Sequence, residues 1–120
     1  MKRYTIGKGV TNMVMTIVEA QVARENWTAL KEAYEAGTER PPSQLVETFL
    51  VHESPESTLW RIVGLWYSRE ALEEMRQSTE TPGAVLMFRA AGAEPTLSVF
   101  DVAAHAAGES WRSESEFVGH

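Results

Sequence analysis

The sequence contains no cysteine. Disulfides, thiolate metal sites and thiol nucleophiles are excluded together. The absence fits a cytoplasmic protein, and that is the expected location. Basic residues are also few. Eleven Lys and Arg stand against seventeen Asp and Glu, a net charge of -6. A duplex-binding surface needs clustered cations to displace counterions. Here the cations are scattered, so no nucleic acid partner is expected. No stretch approaches the ~20 apolar residues of a membrane span, so no membrane partner is expected either. The start carries Lys2 and Arg3 but no apolar segment with a small-residue cleavage site, and no secretion signal is read from it. Histidine is scarce: His52, His105 and His120 stand far apart, with no His-x-His or His-x-x-x-His pairing. No metal site is expected from such a set. A Gly-x-Ser-x-Gly elbow is missing. Gly7-Lys8-Gly9 lacks the rest of a phosphate loop.

What is present suits a single small domain. The chain has 120 residues, 43% of them hydrophobic, including four Trp, three Tyr and four Phe. That length holds one core. Residues 1–9 read as a loose arm, 10–105 as the domain, and 106–120 as a polar tail rich in Ser and Glu.

Within the domain, 10–22 reads as a strand. Val14, Thr16, Val18, Ala20 and Val22 share one face; Met13, Met15 and Ile17 share the other. Residues 24–36 read as a helix, with Trp27, Leu30, Ala33 and Tyr34 on one stripe and Gly37 as its stop. In a second strand, 44–53, Leu45, Phe49 and Val51 alternate with Val46, Thr48, Leu50 and His52. After the turn Ser54-Pro55-Glu56-Ser57 comes a third strand, 58–67. Trp60, Ile62, Gly64 and Trp66 lie on one of its faces, and Leu59, Arg61, Val63, Leu65 and Tyr67 on the other. Ser68 caps a second helix whose apolar side is Ala71, Leu72 and Met75. Thr81-Pro82 opens a short helix, 83–91, with proline at its first position. A last strand, 95–103, carries Leu97, Val99, Phe100 and Val102.

This order is the ferredoxin-like βαββαβ arrangement, an α+β fold with an antiparallel sheet. Helices cover one face of such a sheet. The other face is apolar here in the first and third strands, and a second copy packed against it would form a dimeric α+β barrel. A homodimer through the sheet face is therefore expected.

The segment Arg61-Ile-Val-Gly-Leu-Trp66-Tyr-Ser68-Arg-Glu-Ala71-Leu72 resembles the antibiotic biosynthesis monooxygenase family, over roughly residues 13–103. Members often show a strand ending in Trp, then a polar residue, Ser, two more residues, and Ala with an apolar neighbour. The resemblance implies a dimeric α+β barrel and a monooxygenase acting on a small aromatic or polyketide-like substrate without a protein-bound cofactor. In the quinone-forming branch, an Asn four residues before the strand Trp and a Tyr six after it contribute to the site. Those positions hold Ile62 and Leu72, and only Trp66 matches. In the haem-degrading branch the site is an Asn on the first strand, a Trp on the second helix and an axial His. Those align near Ile17, Met75 and Val85, so a haem degrader ranks lowest. A non-catalytic binding or regulatory protein of the same fold is the alternative.

Two residues carry the candidate chemistry. Trp66 is the expected substrate-binding residue, stacking on an aromatic ring with its indole N–H on a phenol oxygen; its rival role is to pack the strand end on the second helix. His52 is the expected catalytic base, being the histidine inside a strand; its rival role is a strand-end side chain near solvent. Arg61, expected on the open face, suits an anion or an interface ion pair. Arg76 and Arg89 read as solvated helix positions.

Overall fold

The computed structural model describes residues 12–79 and 81–108. The chain divides into two units, Asn12–Asp101 and the two ends together, Met1–Thr11 with Val102–His120. Of the second unit, 102–108 are described; they form no helix or strand and are exposed apart from half-buried Val102. The expected arm, 1–9, and most of the expected tail, 106–120, lie outside the described residues.

The first unit runs β1 (Val14–Gln21), a 3-10 turn (Arg24–Asn26), α1 (Trp27–Gly37), β2 (Leu45–His52), β3 (Leu59–Trp66), α2 (Arg69–Gln77), α3 (Gly83–Ala90) and β4 (Thr96–Asp101). The strands form one sheet in the order β2-β3-β1-β4, and every neighbouring pair is antiparallel. This is the ferredoxin-like α+β fold. Alternation sorts the side chains as the strand period requires. Val14, Thr16, Val18 and Ala20 of β1 are buried, while Met15, Ile17 and Glu19 between them are half-buried. On β3, Trp60, Ile62, Gly64 and Trp66 are buried beneath the helices.

Two clusters make the core. One joins Val18, Val22, Leu30, Trp60, Ile62 and Phe88; the other joins Val14, Trp66, Leu72 and Met75. Leu30 and Phe88 are wholly buried. Trp27 opens α1 and donates its indole N–H to the Val22 carbonyl, 2.9 Å, tying the helix to the end of β1.

Several local details depart from the sequence expectation. Leu45 packs with Trp66 on the helix side of the sheet, not with Phe49 and Val51. A bulge between Leu45 and Glu47 inserts one extra residue and flips the alternation. Gly37 ends α1 without a left-handed backbone, since Gly92 is the residue with positive φ among those described. The stop is Thr38, whose hydroxyl donates to the Tyr34 carbonyl at 2.7 Å. A Cβ at Gly37 would meet only the methyl end of the flexible Met87 side chain on α3, which can swing aside. The left-handed glycine closes α3: at Gly92 φ is +75°, and the Gly92 and Ala93 amides return to the Arg89 and Phe88 carbonyls. Pro82 precedes α3 as its cap rather than forming its first residue. β1 begins at Val14 and β4 ends at Asp101.

Ser68 caps α2 as expected, its Oγ accepting the Ala71 amide at 2.9 Å. Ser68→Ala should lower stability by about 1 kcal/mol in a urea melt, and Ser68→Asn should restore most of it. An unchanged midpoint in Ser68→Ala would remove the cap from the account of this helix.

Candidate functional site

The helix side of the sheet does not close completely. Between β1, β3 and the ends of the three helices lies a cavity of about 110 Å³. Its sheet wall includes Thr16, Ile62, Gly64 and Trp66. Leu72, Met75 and Arg76 enter it from α2, Ala84 and Met87 from α3, and Thr38, Pro41 and Pro42 from the segment after α1. Most of this lining is apolar. The glycine at 64 is what lets the wall be flat, because no side chain stands between Thr16 and Trp66.

The polar groups can be accounted for one by one. Trp66 is 8% exposed and donates its indole N–H to Thr16 Oγ1 at 3.0 Å. The expected donation to a ligand oxygen is therefore replaced by a bond within the sheet. Thr16 is itself buried, and its hydroxyl proton has no acceptor among the described residues. That proton is available to an oxygen placed in the cavity. Thr48 Oγ1 is already engaged, donating to the Val63 carbonyl at 2.8 Å and accepting from the Tyr34 hydroxyl at 3.4 Å.

His52 is placed elsewhere. It pairs in register with Trp60, while Leu45 pairs with Trp66. The six residue-to-residue steps from Trp60 to Trp66 span roughly 20 Å of strand. The His52 ring stacks on Trp60 at 3.9 Å and meets the edge of Trp27 at 4.5 Å. Its Nε2 lies 2.6 Å from the Ser57 carbonyl oxygen, so Nε2 carries the proton and donates. His52 does not line the cavity, and the structure does not bring it together with Trp66.

The arginines sort differently from expectation. Arg61 lies on the open sheet face and meets Glu19 at 2.7 Å within the same chain. Arg89 meets Glu94 at 2.8 Å on the surface, a hydrogen bond that holds the Glu94 carboxyl below its ordinary range. Arg76 is the correction: it borders the cavity rather than bulk solvent alone. The sequence carried the signal. Leu72, Met75 and Arg76 fall at i, i+3 and i+4, one stripe of a helix. Its last member was read by its charge instead of its spacing. Thr16 escaped notice because a strand threonine is ordinary until its neighbours are known.

No group of three or more metal-ligating side chains occurs among the described residues. Nor is any helix among them long and apolar enough to cross a membrane.

No family model matches the chain, and no curated protein matches it. Solved structures do. A cofactor-independent oxygenase from Streptomyces nogalater, SnoaB, aligns with a TM-score of 0.58 at 16% identity, over 82% of this chain and 100% of that one. The fold is that of the antibiotic biosynthesis monooxygenases. A candidate member from Caulobacter crescentus has a TM-score of 0.58 at 13% identity, covering 85% of this chain and 98% of its own. Another from Deinococcus radiodurans has a TM-score of 0.59 at 12% identity, over 79% and 96%. At such identities the likeness to these monooxygenases is one of architecture, and residue roles have to come from the cavity itself.

Proposed function

We propose that this protein binds a small aromatic molecule in the cavity and oxygenates it without a resident cofactor, working as a homodimer joined through the open sheet face. The observation that supports this best is the buried Thr16 hydroxyl beside Trp66 in an otherwise apolar wall. Ligand sites of this kind combine apolar walls with a few placed polar groups. The size narrows the substrate. An apolar cavity of about 150 Å³ takes one benzene ring, and this one measures about 110 Å³. A single ring is therefore the most this cavity can bury, with any side group at the mouth.

In this reading the Trp66 ring sets the plane of the substrate, and the Thr16 hydroxyl donates to an oxygen on it. An ionised, electron-rich ring carbon adds dioxygen to give a hydroperoxide. Loss of water then leaves a carbonyl. One oxygen atom stays in the product and the other departs as water, whose two hydrogens come from one ring C–H and the phenolic O–H. The substrate enters as its phenolate, so the phenolic proton passes through solvent. The fold shared with a cofactor-independent oxygenase supports this choice.

The test is oxygen uptake with a panel of monocyclic phenols and quinols, in the presence of a chelator and without added flavin. One dioxygen consumed per product carbonyl is expected. Saturable binding of the same compounds with no uptake would favour the non-catalytic alternative. That alternative has its own support, because no His, Asp, Glu, Lys or Tyr is among the described lining residues. Trp66→Phe separates a binding role from packing alone. It should weaken the best ligand about fivefold, roughly 1 kcal/mol of lost stacking. Unchanged affinity with a lowered urea midpoint would make Trp66 a packing residue only.

A further inference from the structure

Among the described residues that line the cavity, Arg76 is the one charged side chain. No described carboxylate joins it there. Its position has a simple alternative explanation, since a cation in the last turn of α2 suits the helix dipole. Its partners show that this is not the whole account. Arg61, Arg69 and Arg89 each hold a carboxylate at 2.6–2.8 Å. Arg76 meets only Glu73, at 3.7 Å and three residues back on the same helix. Its guanidinium makes no side-chain hydrogen bond to any described residue. The side chain is 36% exposed, so it stands at the mouth, between solvent and an apolar wall.

We propose that Arg76 binds the anionic group of the cavity's ligand, and that the ligand is a monocyclic acid: a ring carrying a carboxylate, seated against Trp66 with its charge at the mouth. The proposal rests on the reading of this cavity as a small-molecule site and specifies the class of molecule. The fork of a guanidinium matches a carboxylate through two parallel N–H donors. The apolar lining on the other side favours a ring over a second charge. The room available, about 110 Å³, confines the buried part to one ring. Net charge runs the other way: the whole chain carries -6, which does not favour anions in general. A preference for a carboxylate would therefore come from this arginine and not from the protein's overall field.

The experiment is a calorimetric titration of the full chain with benzoate and with its neutral counterpart, benzyl alcohol, each against wild type, Arg76→Gln and Arg76→Lys. Wild type should prefer benzoate by about tenfold, the scale of one charge-assisted hydrogen bond discounted for partial exposure. The preference should shrink as salt is raised. Arg76→Gln should abolish the preference, read as the ratio of the two affinities within each variant, and Arg76→Lys should keep part of it without the bidentate geometry. Circular dichroism and a urea melt on the variants check that the fold is intact. Equal binding of the two probes by wild type, or a preference that survives in Arg76→Gln, overturns the proposal and leaves the small-molecule reading standing. Binding of neither probe at millimolar concentration overturns both.

Discussion

Val63→Glu is expected to split the proposed homodimer. Val63 sits at the middle of the open sheet face, in register with Ile17 on β1 and Phe49 on β2. Around it, Phe49, Val51 and Phe100 are 46%, 39% and 50% exposed, a level of aromatic and aliphatic exposure that a lone chain seldom carries in one patch. The only charged pair described on this face is Arg61 with Glu19, and the two satisfy each other at 2.7 Å. A carboxylate at position 63 would find no free cation there. Burying it unpaired between two copies costs about 3–5 kcal/mol, which weakens association by about two to three and a half orders of magnitude. In the separated chain the same carboxylate faces water, so the variant should still fold. Sedimentation equilibrium at micromolar concentration, with circular dichroism as the control, should show a folded monomer. A wild-type chain that is already monomeric there removes the dimer. A Val63→Glu chain that remains dimeric moves the interface to another surface.

The features legible in the sequence were those with a period. Alternation separates buried from open residues on β1 and on most of β3, where Leu65 on the open face is nonetheless buried, and Ser68 marks the start of α2 through its side-chain oxygen. The fold class followed from element order alone. The features that escaped depend on particular contacts. A bulge leaves no mark on β2 that composition reveals, so Leu45 was given the wrong face. Gly37 reads as a helix stop, yet it is the Thr38 hydroxyl, returning to the Tyr34 carbonyl, that closes α1. The candidate site divides in the same way. Trp66 is singled out by its match to the oxygenase pattern, and it does line the cavity. His52 was singled out for its chemistry, yet a strand carries its two ends far apart, and its ring is occupied by Trp60 and Trp27. Chemistry-bearing residue types are a weaker guide than position on a face, as Arg76 shows from the opposite side.

Gly64→Ala should destabilise the protein and close the cavity together, because both depend on the same empty space. Gly64 lies opposite Thr16 on β1 and Thr48 on β2. A methyl group there would fall 2.9 Å from Thr16 Oγ1 and 3.0 Å from Trp66 Nε1, the two atoms that share a hydrogen bond. Neither neighbour can yield easily, since Thr16 is 6% and Trp66 8% exposed. Two effects oppose each other. Replacing glycine in a strand gains about 0.5–1 kcal/mol through the unfolded chain. Overpacking costs about 1–3 kcal/mol, and a buried N–H separated from its acceptor costs about the same again. The clash wins, with a net loss of about 2–3 kcal/mol in a urea melt. The added methyl also enters the cavity wall, so the ligand that binds wild type best should bind at least tenfold more weakly. The cause can be isolated with Thr16→Ala. In that background the nearest atom is gone, and Gly64→Ala should cost at least about 1 kcal/mol less than it does in wild type. A Gly64→Ala chain as stable as wild type, with its affinity intact, would show that Trp66 moves freely. The Trp66–Thr16 bond could not then be what shapes this site.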